Sequence, residues 1–155
     1  MALQALLRVD GIAQKDFYVL QDLNYEITKS VDNYKPTGNP KGGLVHFTIL
    51  SPEPNDLFFY EWVLNNEITY TCFFLLPIVK GINHGYRALS CYESSCISLR
   101  EFHSGSNGQQ VYLQITMSTS KMVFGKDKRI EFNNNIIKKM SSGEDLSGLG
   151  KFDYL

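Results

Sequence analysis

Four residues with metal-binding side chains fall within one stretch of this chain: His84, Cys91, Cys96 and His103. Thiolate and imidazole are the usual ligands of zinc, so the group invites a metal reading. Its spacing argues against one. There is no close C-x-x-C pair, and along a regular strand residues five apart project from opposite faces, so Cys91 and Cys96 would converge only across a bulge. Strand cysteines that pack as small hydrophobes are the simpler account.

Other chemistry fares no better. A serine nucleophile needs a histidine held by an acid and an elbow between strand and helix, whereas "GSNG", residues 105–108, lies between two strand-like stretches and reads as a hairpin turn. His46 falls on the polar side of a strand and His103 at a strand end, both read as solvated. "GNPKGG", residues 38–43, has the glycines and lysine of a phosphate loop but lacks the G-K-[ST] order and a following helix. Of the acids near the helix described below, Asp56 is explained by capping and Glu61 lies on its wet side. With no nucleophile, metal set or acid pair assembled, the expectation is a protein that is not an enzyme and uses no cofactor.

The elements that carry these residues are mostly strands. Leu3, Ala5, Leu7 and Val9 alternate with polar or outward positions and close on Asp10-Gly11, a turn dipeptide. A second strand is predicted over residues 17–31, where Leu23, Tyr25 and Ile27 oppose Asn24, Glu26 and Thr28. A third spans residues 44–50, with Val45, Phe47 and Ile49 inward. Pro52 and Pro54 then forbid a central strand, Asn55 or Asp56 offers a cap, and Phe58 with Trp62 and Phe59 with Val63 form a helical stripe ending at Asn65-Asn66. Phe58 and Trp62 are its expected core anchors. The period of two returns at residues 68–79, 86–102 and 111–124, separated by turns at 81–85 and 104–108.

Several strands, one helix and connections too short for parallel crossovers predict a mainly β protein, an antiparallel barrel or sandwich with one flanking helix. One connection is unusual. "DNYKPTGNPKGG", residues 32–43, is far too long for a tight turn and forms an extended inter-strand loop. The organisation expected is a β domain over residues 1–125 and a C-terminal extension over 126–155, rich in Asn, Ser and Gly, that orders against a partner.

Composition sets further bounds. A chain of 155 residues fits one domain with a sizeable core. Its 15 Lys plus Arg nearly balance 16 Asp plus Glu, so no basic field exists to hold nucleic acid. Three cysteines do not make a disulfide framework, and "MALQALLRVDG" lacks the basic region and apolar run of a signal peptide. The longest apolar run, "CFFLLPIV", is far short of the ~20 residues of a membrane helix. Cytoplasmic synthesis without membrane insertion is the expectation. Yet that run leaves little for a wet face, as if something else covered it.

Two stretches now carry a resemblance. The start "MALQALLRVDG" and the segment "LNYEITKSVDNYKPTGNPKGGLVHFTILSPEPNDLFFYEW" are similar to the Hcp-type tube proteins (TssD) of type VI secretion systems, in particular a Bacteroidetes-like branch. The resemblance runs over residues 1–124 and is most specific over 41–62. It implies a ring-forming β-barrel, hexameric, with rings stacked into the inner tube of a contractile injection apparatus and effectors carried in the lumen. Sheath, spike and effector proteins would be the partners, and the protein would leave the cell through the apparatus without a signal peptide. It also implies that the loop residues Asn33, Tyr34, Lys35, Pro36, Thr37, Gly38, Asn39 and Pro40 contact the adjacent ring. A monomeric barrel that binds a small ligand inside is the alternative.

Overall fold

A computed structural model describes residues 4–10, 17–103 and 110–133. The expected turn at 104–108, Gly11, Leu3 and the extension beyond 133 lie outside the described residues, as does the side chain of His84. Among the described residues ten strands and one helix follow in the order β1 (Leu6–Val9), β2 (Tyr18–Tyr25), β3 (Thr28–Asp32), β4 (Lys35–Lys41), β5 (Leu44–Leu50), α1 (Phe58–Leu64), β6 (Tyr70–Lys80), β7 (Asn83–His103), β8 (Val111–Ser118), β9 (Lys121–Phe124) and β10 (Ile130–Asn133).

Alternation dictates which faces meet. In the antiparallel pair β5–β8, Val45 opposes Met117, Phe47 opposes Ile115 and Ile49 opposes Leu113, and all six side chains are fully buried. In β6–β7 the same role falls to Cys72 with Cys91 and Phe74 with Leu89. The sheet order β7-β6-β1-β2-β5-β8 closes because β8 pairs back onto β7, giving a barrel with β9 and β10 appended beside β7. Each such buried apolar side chain contributes about 1.5–3 kcal/mol, so facing pairs of this kind fix the register strongly.

Closure depends on β7, whose first part pairs with β6 and β9 and whose second part pairs with β8. The strand changes partner at Glu93, which takes a left-handed backbone (φ 49°). Polar groups lock this corner. The Tyr92 carbonyl accepts hydrogen bonds from the hydroxyls of Thr119 (2.8 Å) and Ser120 (3.0 Å), and the Ser120 hydroxyl also reaches Glu93 at 3.1 Å. The long strand expected over 111–124 therefore breaks at Thr119-Ser120, and Ser120, expected on the wet face, is buried. Lys121 is buried beside it, its ammonium 5.3 Å from the Tyr92 ring centroid and 3.6 Å from Glu131.

Two further boundaries differ from the sequence expectation. The strand expected over 17–31 stops at Tyr25 and resumes at Thr28, so only its first part lies in the barrel. The turn expected over 81–85 shrinks to Gly81-Ile82, with Lys80 opposite Asn83 and Gly81 at φ 61°. Ile27 keeps the alternation running across the first break, and Gly81, Asn83 and Gly85 carry turn chemistry across residues that the second hairpin pairs as strand.

The helix follows its stripe. Phe58, Phe59 and Trp62 are buried, Val63 packs at the edge of the core and Glu61 is exposed. Asp56 sits one residue before the cap position; its Oδ1 accepts from the Phe58 amide (3.2 Å) and its Oδ2 from the Tyr18 hydroxyl (2.9 Å). At the far end the Asn65 side chain accepts from the amides of Glu67 and Ile68. Asp56 is only 3% exposed, so removing the Tyr18 hydroxyl withdraws a donor from a buried carboxylate. Tyr18→Phe, which keeps the ring, is expected to lower stability by about 1–3 kcal/mol in urea unfolding; a change below about 0.5 kcal/mol would mean water replaces that donor.

Candidate assembly surface

Residues 32–43, expected as a loop, fold as most of a two-stranded ribbon, with β3 and β4 pairing apart from the barrel sheet. Asp32 faces Lys35, Val31 faces Pro36 and Ser30 faces Thr37, and the register then slips before Thr28 meets Lys41. Asn33 (φ 50°) and Tyr34 (φ 65°) make the two-residue turn, the left-handed pair that suits the twist of a hairpin. Gly38 (φ 72°) marks the slip. Two prolines argued for a loop, but on an isolated ribbon the edges are free and proline is tolerated there.

The ribbon buries almost nothing. Every residue of β3 is exposed, as are all of β4 except the half-buried Pro40. Val31 is 68% exposed and Tyr34, at the tip, is wholly exposed. Of the eight residues expected to make inter-ring contacts, Asn33 and Tyr34 form the turn and Lys35, Pro36, Thr37, Gly38, Asn39 and Pro40 form the returning strand. They thus share one projecting element. Seven strand residues reach roughly 20 Å at about 3.3 Å each.

A two-stranded ribbon is marginal alone, so its foot must be held. Gly42 does this by close approach: a Cβ there would lie 2.9 Å from the Glu26 carbonyl and 3.3 Å from the Phe132 ring. The Gly43 carbonyl accepts from the Thr119 amide at 2.7 Å. A groove of about 620 Å³ runs beside this foot, lined by Tyr25, Glu26, Lys41, Leu44 and His46 among others. His46, expected to be solvated, is half-buried and its Nδ1 lies 2.9 Å from the Thr116 hydroxyl.

A second polar group escaped sequence reading. The Tyr60 hydroxyl of α1 donates to Glu101 of β7, and the other carboxylate oxygen of Glu101 lies 2.7 Å from His103 Nε2. Burial, then Glu101, pushes the Tyr60 phenol up to about 12, while the bonds from Tyr60 and His103 hold the Glu101 carboxyl below its usual range. A protonated phenol tied to an ionised carboxylate makes a clasp between helix and strand. The 41 positions between Tyr60 and Glu101 carry no motif that would have announced it.

The cysteines are all buried. Burial pushes the thiols of Cys72 and Cys91 well up and that of Cys96 to about 11, so they stay protonated and pack as small hydrophobes. Among the described residues no three His, Cys, Asp or Glu side chains gather as a metal site. Nor is any described helix long and apolar enough to cross a membrane.

Residues 1–136 match the family model described as "Hemolysin coregulated protein Hcp (TssD)". Among solved structures, Hcp1 from Flavobacterium johnsoniae matches with TM-score 0.67 at 17% identity, covering 85% of this chain and all of that one. Hcp1 from the E. coli EAEC 042 pathovar, a double-tryptophan mutant, matches with TM-score 0.65 at 11% identity over 84% of this chain and 99% of that one. Hcp3 from Pseudomonas aeruginosa, a secreted protein, gives TM-score 0.63 at 8% identity over 86% and 99% of the two chains. No curated protein matches the sequence.

Proposed function

Since this chain belongs to the Hcp (TssD) family, we propose that it is a structural subunit of the inner tube of a type VI secretion system. In this reading six copies close into a ring, and rings stack into the tube that a contracting sheath drives outward beneath a spike. The β3–β4 ribbon of one ring docks on the next, and the lumen carries small effectors. The protein is made in the cytoplasm and leaves through the apparatus itself.

One observation carries the assembly reading: a closed, well-packed barrel extends a ribbon that buries almost no surface of its own, with a fully exposed tyrosine at its tip. An ordered element that lends so little surface to its own barrel makes physical sense when another copy covers it. The ligand-binding alternative has less support, because Phe47, Phe74, Leu113, Ile115 and Met117 are fully buried and fill the interior that a ligand would need. Closed rings in concentrated solutions of the purified chain are the expected result; a monomer there would overturn the reading.

A further inference from the structure

The β6–β7 hairpin runs past the barrel and ends in an unusual surface. Along its core-facing side the fully buried pair Phe74 and Leu89 is followed by Leu76 with Arg87, then Ile78 with Gly85, as the strands leave the core. There a groove of about 430 Å³ opens between the hairpin and the β9–β10 turn, lined by Ile78, Lys80, Gly85, Tyr86, Arg87 and Lys126 among others. Two of its apolar members are exposed, Ile78 at 42% and Tyr86 at 47%. Its charged members are three cations, and among the described residues none of them enters an ion pair. A Cβ on Gly85 would meet nothing within 4 Å, so the space above it is open.

The chain itself carries a segment of matching chemistry. Residues 144–155 read "EDLSGLGKFDYL": three acids against one lysine, interleaved with Leu146, Leu149, Phe152, Tyr154 and Leu155. This segment lies beyond residue 136, where the family match ends, so the shared fold does not account for it. Reach is ample. The described chain ends at Asn133, at the far end of the four-residue strand β10, whose near end leaves the β9–β10 turn that lines the groove. Residues 134–155 could extend up to roughly 70 Å at about 3.3 Å each.

We propose that residues 144–155 dock in this groove of their own chain, with the acids on Lys80, Arg87 and Lys126 and the apolar side chains over Ile78, Gly85 and Tyr86. The occupant answers the question raised by the "CFFLLPIV" run, whose distal part is otherwise bare. Tethering makes the encounter intramolecular, at an effective concentration in the millimolar range, so a modest contact suffices.

Amide hydrogen exchange on the full chain tests this. Residues 144–155 are expected to exchange on the order of tenfold more slowly than an unstructured peptide, independently of protein concentration. Lys80→Glu with Lys126→Glu should abolish that protection, and so should Gly85→Trp, which fills the open space. Adding Glu144→Lys with Asp145→Lys to the double lysine variant should restore it. Unchanged exchange in the barrel strands verifies that each variant folds. Full-rate exchange of 144–155 in the parent, or protection that survives both the charge reversal and the filled groove, would overturn the proposal. Protection that grows with concentration would place the segment on a neighbouring copy and overturn the assignment to its own chain.

Discussion

Replacing residues 30–39 by a Gly-Ser-Gly bridge is expected to leave the barrel folded and rings closed while reducing stacked rings by tenfold or more. The deleted residues are exposed on every side except the register of their own ribbon, so their removal costs the core nothing. Thr28 faces Lys41 below the cut, and Gly42 still packs on Glu26 and Phe132, so a short bridge closes the ends without strain. Unfolding free energy should move by less than about 1 kcal/mol, as for exposed sites generally. A point change separates local stability from docking. Tyr34 holds φ 65° at a position where a non-glycine residue costs roughly 1–2 kcal/mol, so Tyr34→Gly relieves the turn while deleting the exposed ring. The expected pair of results is a turn no less stable and stacking that is weaker. Stacking at parental levels in both variants would remove the ribbon from the ring contact.

The largest effect on stability is expected at Trp62. It is 1% exposed, its ring lies 5.9 Å from Phe58, 6.3 Å from Phe59 and 5.3 Å from Tyr70, and its indole N–H donates to the Ile68 carbonyl at 3.2 Å. Phe59 in turn meets Tyr18 of β2 and Phe47 of β5, so the tryptophan couples the helix to this pair of neighbouring strands. Trp62→Ala should cost about 3–5 kcal/mol, the range for large aromatic truncations in cores. Against a total of about 5–15 kcal/mol that leaves a marginal protein, so rings should be scarce at 37 °C. Urea unfolding followed by circular dichroism measures the loss, since the variant has no tryptophan to report it. A loss under about 1 kcal/mol would mean that the helix contributes little to the core.

Where one face was core and the other wet, the sequence was readable. The strand Leu44–Leu50 has the bounds that alternation predicted, and Phe58 and Trp62 anchor the helix as their spacing required. The breaks were not readable, for reasons that are physical. Ser118 and Ser120 continue the polar side of an alternating pattern, but the Tyr92 carbonyl at the β7 corner accepts from the hydroxyls of Thr119 and Ser120, and both residues are buried. That carbonyl lies 27 and 28 positions away. In the ribbon, Asn33 signals a left-handed turn, whereas Tyr34 masks it, because tyrosine is a poor turn residue and only the flanking pairing holds it there. The ribbon itself was legible as an anomaly of length, while its folded form was not. The single charges of the β6–β7 groove, spread over Lys80, Arg87 and Lys126, become one surface only when β9 lies beside β7.

The central claim is that this barrel exists to build a tube, and the most direct measurement is electron microscopy of the purified full chain at increasing concentration, with native mass determination on the same sample. The account predicts annular particles of six 17.7 kDa chains that stack end to end as concentration rises. A chain that stays at 17.7 kDa, with no rings at any concentration, would contradict it.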